Sequence, residues 1–313
     1  MTGVATDSAA ARRLLREPGA SRGDRRSHTR RRPSRETRIA LAQLSPVLLI
    51  FVLGIAVPLG FFVIFSFWRL SNFEIVPQWN IDNYKNSIKD PSVQVLLRNT
   101  LVIAAITAIA TTVLATATAT VLRFRLARWQ NHIMFLVVVA LFSGYLVRIF
   151  AWETLLGTRG VINTALQGGG LIDKPLDALL YTRFSAILVL TNFLVPIALL
   201  PCFAAFQNIR ESEIQAARDL GASGAQTYRR VVLPLAWPGI FAAFAMTFII
   251  AAGDYLTPSL VGGRTGAMIG KIVADTFLNQ FDWPQGAALA ILDLLAVFFC
   301  LGLAWAISKR VIR

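Results

Sequence analysis

The sequence predicts an all-α polytopic membrane protein whose chain crosses the bilayer six times. Of its 313 residues, 55% are apolar and only 15% are charged, which exceeds what a soluble core of this length needs. Long uncharged stretches recur along the chain, and a helix of about 20 apolar residues crosses the hydrocarbon core of a bilayer. Six spans are therefore the economical number.

The spans follow one another within a transmembrane domain of residues 39–308. We expect them at about 44–67, 101–122, 133–152, 185–206, 235–256 and 286–307. The third uncharged run stops at Arg148, so that span is long enough only if residues 149–152 continue it past an arginine. The sixth contains Asp293. Three outer connections, at residues 69–99, 153–184 and 257–285, are expected to carry short interfacial helices.

The distribution of positive charge orients the chain. Residues 1–38 contain eleven arginines with Pro, Gly and Ser, which predicts a disordered basic tail. Beside a span, such a tail indicates attraction to anionic membrane lipid, and we do not expect a nucleic-acid partner. Counting Lys and Arg on alternate sides gives twenty-one against ten. The N-terminus, the loop at residues 207–234 and the C-terminus at residues 309–313 are therefore predicted to be cytoplasmic.

Several chemical functions are excluded by composition. The chain has two His and two Cys, and both cysteines, Cys202 and Cys300, fall inside spans. No metal site or His-based catalytic group is expected, and the chain lacks a phosphate-binding Gly-x-x-x-x-Gly-Lys-Ser/Thr loop. We predict that it is not an enzyme and binds no cofactor itself.

The loop at residues 207–234 is the most informative segment. It reads Gln215-Ala216-Ala217, three residues, Gly221, nine residues, then Val231-x-Leu233-Pro234. Good helix formers from Glu211 to Leu220, followed by Gly221 as a left-handed cap, predict a short helix. Small side chains at 216 and 217 suit close contact with another surface. We expect Leu233-Pro234 to end the segment at the membrane surface.

These residues resemble the EAA loop of permease subunits of bacterial ABC importers. The resemblance implies six transmembrane helices of the type I ABC importer permease kind, in the bacterial inner membrane, with a cytoplasmic coupling helix. Its implied partners are a dimer of ABC ATPase subunits that holds ATP and Mg, a second permease subunit (a heterodimer) and an extracytoplasmic solute-binding protein. The implied ATPase-coupling residues are Glu211, Gln215, Ala216, Ala217, Gly221, Leu233 and Pro234.

One residue departs from the family pattern. Gln215 stands where the family has Glu, so a charge is lost there. Glu211 lies four residues earlier on the same helical face, and we expect it to compensate.

A wider resemblance to the polyamine-type branch of these permeases covers most of residues 44–308 and implies a small cationic solute. It rests on Asn83-Tyr84, Asn99-Thr100-Leu101, Ala151-Trp152, Gly160, Asn163, Ala217 to Ser223, and Pro258-x-Leu260-x-Gly262-Gly263.

Acidic and aromatic residues near the spans are candidates for the substrate pathway, since a carboxylate beside an aromatic ring suits an ammonium group. They are Trp152, Glu153, Asp254, Tyr255 and Asp293. Asp293 lies deepest, and it faces either the pathway or an ion-pair partner such as Arg148. An ion-gradient-driven secondary transporter or channel, with Asp293 as its cation site, remains the alternative function.

Overall fold

The structure, a computed structural model, describes residues 35–311 and is mostly helical. Twelve α-helices are found in this range: α1 Arg35–Ser66, α2 Asp82–Lys89, α3 Pro91–Phe124, α4 Gln130–Leu141, α5 Tyr145–Leu156, α6 Val161–Gly168, α7 Arg183–Gln207, α8 Glu211–Asp219, α9 Gly224–Thr227, α10 Leu233–Ala252, α11 Ile269–Leu278 and α12 Trp283–Val311. The predicted all-α class is confirmed. The basic tail lies outside the described residues up to position 34, as do the last two residues of the C-terminus.

Three short non-α helical segments and one hairpin complete the secondary structure of the described residues. Residues Tyr228–Val232 and Pro258–Gly262 form π-turns, and Asp177–Leu179 forms a 3-10 turn. Strands β1 Arg69–Ser71 and β2 Glu74–Val76 pair antiparallel through a two-residue turn. Both turn residues, Asn72 and Phe73, have positive φ, which matches the twist that two-residue hairpins require.

Five helices in the described range are long and apolar enough to cross a membrane. They cover Leu44–Ser66, Pro91–Phe124, Arg183–Gln207, Gly224–Ala252 and Trp283–Arg310. A sixth span exists only if the broken pair Gln130–Leu141 and Tyr145–Gly168, bent by 92°, is counted as one. The chain divides into two compact units after Ala56, within α1.

The break in the third candidate span involves the arginine that interrupts the uncharged run. Helix α4 ends at Leu141, and the Arg148 side chain of α5 donates a hydrogen bond to the carbonyl of Ala140. Carbonyls in the last turn of a helix have no partner within that helix. The Ala140 carbonyl also accepts the backbone N–H of Ser143, so the arginine adds a second donor at the bend between α4 and α5.

The core of the second unit is built where α3, α7 and α10 pack together. One buried cluster joins their ends near α8, and a second joins their opposite halves with Val297 of α12. Small residues let the backbones approach, as is usual between membrane helices. The tightest approach is at Gly239 of α10, where an added Cβ would lie 2.3 Å from the Cβ of Ala205 in α7.

Candidate functional site

Helix α8 lies in the loop that the sequence singles out, and both of its ends are capped. At its start, the backbone N–H of Arg210 donates to Glu213 at 3.1 Å. At its end, the N–H of Gly221 donates to the Arg218 carbonyl at 2.8 Å, and that of Ala222 to the Ala217 carbonyl at 3.1 Å. This bonding pattern is a Schellman motif, and Gly221 supplies the positive φ (+83°) that it requires.

Ile214 is the apolar anchor of α8 on the bundle. Ile214 is 3% exposed and packs in the cluster formed by α3, α7 and α10. Gln215 and Ala216 are exposed, Ala217 is half-buried, and Leu220 is 89% exposed. The helix is therefore fixed on one side by an isoleucine, and on the other it presents small and apolar groups that nothing in the described chain covers.

Glu211 has a partner within its own chain. Its carboxylate lies 3.8 Å from the guanidinium of Arg123, at the end of α3. The same guanidinium is 3.5 Å from the carbonyl of Ile209, in the link between α7 and α8. Sequence reasoning missed Arg123, whose proximity to Glu211 depends on tertiary packing. This carboxylate is still largely exposed, and can therefore reach a partner protein. The expected role of Glu211 toward such a partner stays a prediction.

The expectation that Leu233-Pro234 ends its segment is wrong. Helix α9, the π-turn and α10 form one helical stretch from Gly224 to Ala252, with Pro234 as the second residue of α10. Within the π-turn the N–H of Leu233 donates to the Tyr228 carbonyl, five residues back. Proline has no N–H to give, and the wider turn just before it shifts the hydrogen-bond register so that the helix continues.

On the opposite end of the bundle, Trp152 and Glu153 each have a polar partner. The Trp152 indole N–H donates to Asn192 at 3.2 Å, and the Tyr181 hydroxyl donates to Glu153 at 3.0 Å. That hydrogen bond and the negative charge of Glu153 raise the pKa of Tyr181. Glu153 and Tyr181 line a cavity of about 630 Å³ together with Asp177 and one cation, Arg159.

The Asp254 side chain is hydrogen-bonded to the chain that follows α10 and to α5. Its carboxylate accepts the N–H groups of Leu256 and Thr257, each at 3.2 Å, and the Tyr145 hydroxyl at 2.7 Å. The neighbouring Tyr255 is 43% exposed. Asp254 therefore acts as the cap of the next helical turn and ties it to α5. Sequence reasoning missed Tyr145, which lies 109 residues away from its partner along the chain.

Asp293 is half-buried in α12, and its Oδ1 is a buried atom without a hydrogen-bond partner among the described residues. The ion pair with Arg148 that the sequence left open is not formed. Arg148 instead binds the Ala140 carbonyl and lies 5.6 Å from the centre of the Phe193 ring. Within residues 35–311, no hydrogen bond or ion pair joins Asp293, Asp254 and Glu153, so they form three separate sites.

Residues 129–313 match the family model described as "Binding-protein-dependent transport system inner membrane component". The chain is 31% identical over 231 residues to the spermidine/putrescine transport system permease protein PotB of Escherichia coli K12, covering 74% of this chain and 83% of that protein. It is 30% identical over 247 residues to the inner membrane ABC transporter permease protein YdcU of the same organism, covering 74% and 78%.

Solved structures share the fold at lower sequence identity. A chain of a bacterial alginate ABC transporter, in complex with alginate pentasaccharide-bound periplasmic protein, superposes with a TM-score of 0.70 at 17% identity. The match covers 89% of this chain and 96% of that one. A chain of the MetNI methionine ABC transporter, in an inward-facing conformation, gives 0.53 at 18% identity and covers 72% and 99%.

Proposed function

This chain belongs to the family of binding-protein-dependent transport system inner membrane components, and from that premise we propose that it forms half of a translocation pathway for a small cationic solute. It is a permease subunit of an ABC importer, a multi-pass inner membrane protein and not an enzyme. Of the two functions that the sequence leaves open, family membership supports the importer. The gradient-driven transporter has no comparable support.

The geometry of α8 carries the proposed mechanism. This helix is tied to the bundle through Ile214 and Arg123 and exposes Ala216 and Leu220 on its other side. A helix that is fixed on one face and uncovered on the other can transmit a movement of a partner protein to α3, α7 and α10. ATP binding and hydrolysis take place on separate ATPase subunits, and closure of their dimer moves α8.

The remaining partners follow from the family. A second, similar permease subunit completes the pathway, and an extracytoplasmic binding protein delivers the solute. Glu211, Gln215, Ala216, Ala217 and Gly221 form the proposed contact region for the ATPase, and Leu233 and Pro234 continue the helical stretch from this loop into α10. Both termini and this region face the cytoplasm, because twenty-one of the 31 Lys and Arg residues fall on that side.

A cationic solute is supported by two observations. PotB, the relative reported above at 31% identity, is named for spermidine and putrescine. The outer cavity offers two carboxylates and an aromatic ring, at Glu153, Asp177 and Tyr181, as a first contact for an ammonium group. Asp254 is a poor candidate for this contact because its oxygens are already occupied, whereas Asp293 keeps one unpaired oxygen.

Reconstitution with its ATPase, second permease and binding protein tests the proposal. Di- and polyamines should stimulate ATP hydrolysis through the loaded binding protein, and neutral or acidic solutes should not. Glu153→Gln should raise the KM for amine uptake about 10- to 150-fold, since a hydrogen bond to a charged group contributes about 1.5–3 kcal/mol. Asp173→Asn, at an exposed outer acid outside this cavity, is the matched control. Stimulation by neutral solutes alone would contradict the cationic assignment.

A further inference from the structure

An apolar groove runs between α3, α10 and α12 on one side of the second unit. Its volume is about 750 Å³. Two threonines and aliphatic residues of α3 form one wall, aliphatic residues of α12 form a second, and three aromatic rings of α10 form the third. The residues that define these walls are Ile109, Val113, Trp237, Phe241, Phe244 and Ile307.

One end of the groove is polar. The side chains of Tyr228 and Ser308 both line it, so the start of the π-turn and the end of α12 meet there. The Tyr228 hydroxyl lies 3.1 Å from the hydroxyl of Thr120 in α3. The π-turn places Tyr228 and Leu233, five residues apart, on the same wall. Hydroxyl groups thus lie at the end of the apolar groove where the π-turn and the end of α12 meet.

Four cations adjoin the residues of this polar end along the chain. Tyr228 is followed by Arg229 and Arg230, and Ser308 is followed by Lys309 and Arg310, all of them exposed. The Lys309 ammonium lies 3.6 Å from the ring of Trp305, at the same end of α12. The nearest acid along α12 is Asp293, fifteen residues before Ser308, which is about 22 Å at 1.5 Å per residue. The cations are therefore not neutralised from within these helices.

We propose that this groove binds an anionic phospholipid, with an acyl chain between α3, α10 and α12 and the phosphate beside Arg229, Arg230 and Arg310. The apolar walls and hydroxyl-bearing end match the two parts of a phospholipid, and the cations match a negative headgroup. Membrane helices pack against one another through small residues, whereas this groove carries Trp237, Phe241 and Phe244. A flexible chain fits between such rings better than a second helix does. The proposed cytoplasmic orientation places this end in the leaflet rich in anionic lipid.

Quenching of Trp237 fluorescence by brominated lipids tests the proposal directly. The chain, purified with the subunits that accompany it, is reconstituted with brominated phosphatidylglycerol or brominated phosphatidylcholine. The Trp237→Phe protein is measured in parallel, so that the difference isolates Trp237 from the other six tryptophans. We expect the Trp237 component to be quenched at lower mole fractions of the anionic lipid than of the zwitterionic lipid.

Charge variants then locate the headgroup. Each of Arg229→Gln, Arg230→Gln and Arg310→Gln should reduce the preference for phosphatidylglycerol about fivefold, which corresponds to about 1 kcal/mol per cation. Arg264→Gln, at an exposed cation in an outer connection, should leave the preference unchanged. Equal quenching by both lipids would overturn the proposal, since it would indicate ordinary contact with the bilayer. An unquenched Trp237 would also overturn it, because a protein segment would then cover the groove.

Discussion

Replacing Gly221 by alanine isolates the contribution of the cap of α8. Gly221 has a φ of +83°, and an added Cβ would meet no atom within 4 Å. The cost of Gly221→Ala is therefore conformational alone, about 1–2 kcal/mol for an L-residue in the left-handed region. A cost of 1.4 kcal/mol is a tenfold change in an equilibrium constant, so the last turn of α8 should open about 5- to 30-fold more often.

Hydrogen exchange measures the opening of the last turn of α8 in the Gly221→Ala variant, and ATP hydrolysis measures its functional effect separately. The amides of positions 221 and 222, which donate to Arg218 and Ala217, should exchange about 5- to 30-fold faster in the variant. ATP hydrolysis stimulated by the binding protein should fall, because a frayed helix transmits less motion.

Gly224→Ala is the matched control. Gly224 is the first residue of α9, an added Cβ there also meets nothing within 4 Å, and its φ is not in the left-handed region. This substitution should leave both readouts unchanged or slightly stabilise the helix. The reasoning would be refuted if the two alanine variants behaved alike.

Three further substitutions probe the packing and the outer site. Gly239→Ala should lower the melting temperature, because the added Cβ would lie 2.3 Å from an α7 side chain. Gly302→Ala is the control, since its added Cβ would meet no atom within 4 Å and should not lower the melting temperature. Equal melting temperatures of the two variants would contradict this reasoning. Tyr145→Phe should cost about 1–3 kcal/mol in thermal unfolding, since its hydroxyl binds the carboxylate that caps the turn after α10; an unchanged transition would exclude that role. Glu153→Gln should lower the pKa of Tyr181, because the hydrogen bond to the carboxylate favours the neutral phenol and is lost as pH rises through that pKa. A phenolate absorbance titration measures it, and an identical curve in the variant would count against the contact.

Local signals predict helix α8 well from sequence. The acidic first turn and Gly221 specify a short helix between Glu211 and Leu220, and the structure has α8 at Glu211–Asp219 with the expected cap. Such features depend on neighbouring residues only, so one sequence suffices to recognise them.

Features that depend on residues far apart in the sequence could not be predicted from local sequence patterns. The helix continues through Pro234 because of the π-turn before it, and no local sequence pattern predicts that π-turn. The role of Asp254 is set by Tyr145, and the partner of Glu211 is set by the end of α3. Hydropathy also does not predict the bend at residues 142–144, because it identifies an apolar run but not a change in the direction of the helix.

Photo-crosslinking from α8 tests the central claim, that this helix contacts an ATPase subunit. A photoreactive amino acid at exposed Ala216 should give a covalent adduct with the ATPase in the assembled complex. The same group at exposed Tyr255, beyond the far end of α10, should give none. An ATPase adduct from position 255 and not from position 216 would contradict the account.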